Sequence, residues 1–114
     1  MLKPGNKGRI QTYTDGWGKS CEVDDRKLKR AKQEVIHYAE VKVGLYRYWE
    51  AYVAGTTIKK AILVPEHTDI TEGDVFVDSD GTQYEVKQVD RKDTVPVSLL
   101  VSLASATVTY RMKT

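Results

Sequence analysis

The sequence predicts a mainly β protein: a small antiparallel β-barrel or sandwich of about six or seven strands, with one short α-helix between the second and third strands. Three observations predict it. Residues 70–89, ITEGDVFVDSDGTQYEVKQV, hold two short alternating runs around Asp80-Gly81, the pattern of a β-hairpin with a Gly73-Asp74 lead-in. Glu34 to Val43 alternates with period two. A helical period shows in one short stretch, residues 45–54.

The elements follow in order. Residues 1–8 (MLKPGNKG) hold Pro4, Gly5 and Gly8 and read as a flexible arm. Arg9 to Thr14 is expected as a first strand. Asp15-Gly16-Trp17-Gly18 is expected as a turn, because two glycines supply positive φ at low cost. Residues 22–33 (EVDDRKLKRAKQ) are densely charged. Leu28 and Ala31 give too little apolar surface to anchor a helix there, so the segment is expected as an exposed charged excursion.

In Glu34 to Val43, Val35, His37, Ala39, Val41 and Val43 share one face, and Ile36, Tyr38, Glu40 and Lys42 the other. Gly44 ends this strand. Leu45, Tyr48, Trp49, Tyr52 and Val53 then fall at i, i+3, i+4, i+7 and i+8, one stripe of a short helix that Gly55 can terminate. That helix is expected to plug an open end of the sheet or to lie across an edge. Thr57 to Val64 is the next strand, stopped by Pro65 and followed by an acidic loop, 66–74. Hairpin strands are expected near 75–78 and 82–90, a further strand over 97–103, and a last one at Val108, Tyr110 and Met112.

A chain of 114 residues suits one domain, 1–114, with a modest core. Hydrophobic residues make up 40% and charged residues 30%, a globular balance. No apolar run approaches the roughly 18 residues that span a bilayer. The start, MLKPGNKGRI, lacks the apolar stretch of a signal peptide. Cys21 is the sole cysteine, which excludes an internal disulfide and a cysteine-based zinc site, and a reducing cytoplasm is the expected compartment. Net charge is +2, but the signs are segregated. Residues 1–60 carry 13 bases and 7 acids, and residues 61–86 carry 7 acids and no base. A subunit with a positive and a negative side can stack head-to-tail with its copies, a contact that closes into rings where the rotation permits.

Candidate chemistry is sparse. His37 reads as a packed histidine on an apolar strand face and His67 as a surface residue, with no ligand spacing between them. Asp78-Ser79-Asp80-Gly81 resembles the opening of a calcium loop, yet Val89 stands where the twelfth-position Glu belongs, so an Asp-Gly turn is the better reading. No catalytic residue, cofactor-binding residue or metal ligand is expected, and the chain is expected not to be an enzyme.

Three groups are candidates for contact instead. Arg26, Lys27, Lys29, Arg30 and Lys32 place five bases in seven residues, suited to phosphates or an acidic protein surface. Glu66, Asp69, Glu72 and Asp74 form an acidic loop. Tyr48, Trp49 and Tyr52 on the short helix suit packing against the sheet or anchoring an interface.

Several local patterns carry a resemblance. Arg9-Ile10 leads into a glycine-rich turn; Ala39-Glu40-Val41-Lys42 precedes an aromatic helix with Glu50-Ala51. Ile58 to Val64 follows in a charged strand, then I-x-x-G-D (Ile70 to Asp74), D-G-x-x-Y-x-V (Asp80 to Val86), and a closing strand from Pro96 to Leu103. This order, from about residue 9 to 110, resembles the head-tail connector proteins of long-tailed bacteriophages, the small head-completion, adaptor or stopper subunits. A group from prophages of Gram-positive bacteria is similar in style. The resemblance implies a structural virion assembly protein whose copies form a ring below the portal, hold the packaged genome and dock the tail. It implies portal or adaptor and tail proteins as partners, with self-association into a ring and non-specific contact with packaged DNA. No cofactor and no membrane partner are implied. It further implies a location in the host bacterial cytoplasm during assembly and then at the head-tail junction of the virion. Either the acidic 66–74 loop or the basic 24–33 segment is then the channel loop. Two alternatives stand beside this reading: a tail-completion or minor capsid protein, and a small β-barrel that binds nucleic acid.

Overall fold

The computed structural model describes residues 10–24, 27–41, 58–106 and 111–112. The N-terminal arm 1–8, the short helix expected over 45–54 with its Tyr48, Trp49 and Tyr52, and Arg26 lie outside the described residues. The described residues form seven strands: β1 (Gly16–Asp24), β2 (Lys27–Val41), β3 (Ile58–Pro65), β4 (Val75–Asp78), β5 (Gln83–Lys92), β6 (Ser98–Ser105) and β7 (Arg111–Met112). β1 to β6 pair antiparallel in one sheet, and β7 joins it through a short parallel pairing with β2. The order is β1-β4-β5-β6-β3-β2-β7, and β1 also pairs with β2, so the six antiparallel pairings run in a closed cycle. Among the described residues there is no helix long and apolar enough to cross a membrane.

The inward face explains the cycle. Ile36 and Tyr38 of β2, Ile62 and Val64 of β3, Phe76 of β4, Val86 of β5, and Val101 and Leu103 of β6 form one buried cluster with Ile70. Each such side chain contributes roughly 1.5–3 kcal/mol when fully removed from water. β1 contributes almost no bulk: its inward positions are Gly16, Gly18 and Ser20. A Cβ at Gly16 would strike the Tyr38 ring, and one at Gly18 would strike the Phe76 ring and stand 2.6 Å from the Val77 carbonyl oxygen. The two rings meet edge-to-face at 5.8 Å between centroids. Small residues on β1 are therefore the counterpart of the largest residues on its neighbours.

This corrects the expectation for the first strand. Ile10 to Thr14 is not a strand, and Gly16 to Gly18 is not a turn but the start of β1. Pairing of Gly16 with Tyr38 and of Gly18 with Ile36 and Asp78 holds these residues extended. The charged excursion expected over 22–33 is corrected as well. Residues 22–24 end β1, and residues 27–33 begin β2. Register explains why alternation failed to reveal it. From Gly18 to Val23, β1 spans five steps while β2 spans eight, from Ile36 to Leu28. The three extra residues fall at three successive register shifts, each adding one residue to β2. Bulges re-aim side chains, so period two is lost although the strand continues.

The polarity of β2 also differs from expectation. Ile36 and Tyr38 are buried, while Val35 and His37 are exposed. His37 is a surface residue.

Other elements follow their sequence signals. At the β4–β5 hairpin, the Gly81 N–H donates to the Asp78 carbonyl at 2.8 Å and the Asp78 N–H to the Thr82 carbonyl at 2.9 Å. Gly81 adopts φ +91°, the left-handed residue of a type I turn with a bulge. Two further buried clusters lie outside the main one: Cys21, Leu28 and Val75, flanked by Val23, Ala31 and Val77, and Ala61 with Leu100, flanked by Val41 and Leu63. Val75-Phe76-Val77 is thus apolar on both faces of β4, the pattern of a strand covered from two sides.

Candidate interaction surface

Two charged networks organise the described residues. The first begins on β3, where Lys60 shares the inward parity of Ile58, Ile62 and Val64. Its ammonium donates to the Tyr38 hydroxyl and to Asp78 Oδ2, both at 2.9 Å. The Tyr38 hydroxyl donates to the same carboxylate at 3.0 and 3.1 Å. The Ser79 N–H donates to Asp78 Oδ1 at 2.9 Å. Lys60 also lies 4.8 Å from the Tyr38 ring centroid, in cation–π geometry. Burial opposes the Lys60 charge, but the bonds to Tyr38 and Asp78 outweigh it and hold its pKa far above the ordinary lysine range. Burial raises the Tyr38 phenol, which Lys60 only partly offsets. Both groups keep their protons at neutral pH. The triad is a pin joining β2, β3 and β4 rather than a proton-transfer site.

The second network joins the two segments that sequence reading placed on opposite sides of the molecule. Lys32 donates to Asp74 Oδ2 at 2.8 Å and to Thr71 Oγ1 at 3.1 Å, and lies 3.4 Å from Asp69 Oδ1. The Thr71 N–H and hydroxyl also donate to Asp74 Oδ2, at 2.9 and 3.2 Å. The Asp69 N–H donates to Gln33 Oε1 at 2.9 Å, and Ser20 donates to the Asp69 carbonyl at 2.7 Å. Partial burial of Lys32 works against its charge, and its bonds to Asp74 and Asp69 more than compensate, raising its pKa. One candidate base and two candidate acids are therefore committed to each other.

The remaining candidates stay at the surface. Glu66 pairs with Arg91 at 2.9 Å, and Glu72 is exposed. Lys27, Lys29 and Arg30 are exposed on the distal part of β2. They do not form an unopposed basic stripe. Asp24 pairs in register with Lys27, and the register places Glu22 across from the bulge that holds Lys29 and Arg30. Opposite charges facing across a ladder stabilise a hairpin and cancel much of its far field. On its other edge β2 pairs with β7, Lys27 with Arg111 and Leu28 with Met112.

Sequence reading missed the Tyr38–Lys60–Asp78 triad. The signal was present: a lysine standing in line with Ile58, Ile62 and Val64 on a strand. The Lys32–Asp74 bridge spans 42 residues and had no local signal. Among the described residues no group of three or more His, Cys, Asp or Glu side chains is placed to hold a metal ion. Comparison with known proteins finds no family model, no curated protein and no solved structure that matches this chain.

Proposed function

We propose that this chain is a structural virion assembly protein, a subunit of the ring that joins a DNA-filled phage head to its tail, and that it is not an enzyme. We infer that the closed cycle of six antiparallel pairings is a small barrel. The reading rests first on the resemblance in element order from residue 9 to 110. The observation that carries it furthest is the commitment of buried charge to structure. Lys60, Asp78, Lys32 and Asp74 are spent on pinning strands and one loop, so the variable chemistry is left to outer faces. A building block works through the shape and charge of its faces.

The distal β1–β2 arm is the segment proposed to meet a neighbouring protein of the particle. Its exposed Lys27, Lys29 and Arg30 are interleaved with Glu22 and Asp24, which suits protein recognition better than a polyphosphate. The same interleaving counts against the small nucleic-acid-binding barrel, and contact with packaged DNA is then weak and non-specific.

The test is a gene deletion complemented by wild type or by the Lys27→Glu, Lys29→Glu, Arg30→Glu triple variant. Deletion should leave DNA-filled heads beside complete, unattached tails. The triple variant should restore joining only poorly, although it folds. Accumulation of unfinished tails would favour the tail-completion reading. Normal infectious particles from the deletion would refute both.

A further inference from the structure

The chain ahead of β1 crosses the molecule as a strap. Ile10 to Thr14 has no regular structure, yet it is bonded to the β5–β6 loop, residues 93–97, and to the first residue of β6. The Gln11 N–H donates to the Val95 carbonyl at 2.7 Å. The Tyr13 hydroxyl is hydrogen-bonded to Ser98 Oγ, also at 2.7 Å. Ser98 Oγ in turn lies 2.5 Å from Thr94 Oγ1, and Thr94 donates to the Pro96 carbonyl at 2.6 Å. Each hydroxyl has one proton to give. Thr94 gives its own to Pro96, so Ser98 donates to Thr94 and Tyr13 donates to Ser98.

What holds the strap down is small. Ile10 is 53% exposed and Tyr13 half-buried, so closure removes little apolar surface from water. The net contribution of a hydrogen bond is modest, and fixing the backbone of each residue costs a comparable amount. Neither acceptor is orphaned on release. Val95 is 55% exposed, and its carbonyl takes water in place of Gln11. Ser98 keeps its donation to Thr94 and loses only a bond that it accepts. The opposite holds at Asp15. Its N–H donates to the Tyr38 carbonyl at 2.9 Å, and its Oδ2 accepts the Glu40 N–H at 2.8 Å. From Gly16 onward the chain is laddered to β2. Freedom to move therefore stops at Asp15.

We propose that residues 10–14 are a hinged strap, closed in this structure over the β5–β6 loop and opening about Asp15 while the sheet stays intact. Opening frees the loop backbone from Gln11 and the Ser98 hydroxyl from Tyr13. It also carries the preceding chain with it. Residues 1–9 start beside Val95 when the strap is closed and beyond the Asp15 hinge when it is open. They include Lys3, Lys7 and Arg9 and no acid, so the strap decides from which point a cationic segment leaves the domain. A partner that binds one of these placements more tightly shifts the strap by its difference in affinity. The inference stands apart from the virion reading, because it needs neither a second copy nor a particle.

Amide hydrogen exchange of the full wild-type chain tests it. After correction for intrinsic rates, the Gln11 amide should exchange at least about 100-fold faster than the Asp15 amide. Low urea should leave the Gln11 rate unchanged, because opening the strap exposes little surface, and should speed exchange at Asp15 and in β1. Tyr13→Phe removes the donor to Ser98 and should speed Gln11 about fivefold, with Asp15 unchanged. Trypsin gives an independent readout, since cleavage after Arg9 must seat Ile10 and Gln11 in the protease. The product that begins at Ile10 should form from the folded chain, and about fivefold faster from Tyr13→Phe. Gln11 protected as strongly as Asp15, and released only together with it in urea, would overturn the proposal. So would Tyr13→Phe with no effect on Gln11, or no cleavage after Arg9 until the sheet unfolds. Acceleration of Asp15 and β1 alongside Gln11 in Tyr13→Phe would make the strap part of one cooperative unit, and would overturn it as well.

Discussion

A side chain at Gly18 has nowhere to go. Its first carbon would meet the Phe76 ring and a backbone oxygen at once, and the backbone cannot yield as a flexible side chain could. Gly18→Val should destabilise the protein by about 1–3 kcal/mol or more through overpacking, read as a lower urea midpoint at unchanged slope. The residue scale also holds a pH prediction. The native pKa values of Lys60 and Tyr38 both lie above those of the unfolded chain. Groups of that kind bind protons more tightly when folded, so their stabilisation is complete below the unfolded values, roughly 10, and is lost as pH rises past them. The urea midpoint should therefore fall in the alkaline range above about pH 10, and Lys60→Met should remove the lysine's share of that fall while the share of Tyr38, raised by burial and by Asp78, remains. At neutral pH the same substitution leaves Asp78 buried without its cation and should cost about 3–5 kcal/mol. Little of this was read from single residues: Lys60 stood in line with Ile58, Ile62 and Val64, a signal that passed unread. The glycines of β1 misled because a glycine pair signals a turn when the partner rings are unknown.

At the scale of elements, β3, the β4–β5 hairpin and β6 were legible from alternation and from Asp80-Gly81. β1 and the first half of β2 were not, and the cause is the three added residues in β2. Each bulge breaks period two, so a paired strand rich in lysine reads as solvated loop. The pairing of Lys32 with Asp74 was equally hidden, because only folding brings β2 to the 66–74 loop. Lys32→Met should release that loop. Amide hydrogen exchange at Thr71 and Asp74 should accelerate, while amides of β6, paired on both sides, should keep their protection. Unchanged exchange at Thr71 would show that the bridge does not hold the loop.

For the molecule as a whole, composition and patterning indicated a β domain, and the closed cycle of pairings shows how its strands are arranged. Among the described residues, the basic and acidic segments of the sequence do not lie apart. Folding brings Lys32 to Asp69 and Asp74, and sets Glu22 and Asp24 across from the basic run. Linear charge maps fail in this way whenever oppositely charged segments become neighbours in a sheet. What remains at large scale is a sheet whose buried charges are paired with one another, with its other described charges on outer faces. The most direct test is electron microscopy of particles assembled with a chain bearing a bulky tag at its N-terminus. A ring of added density at the head-tail junction is the expected result. Particles that carry no copy of the chain there, while assembling and infecting normally, would contradict the account.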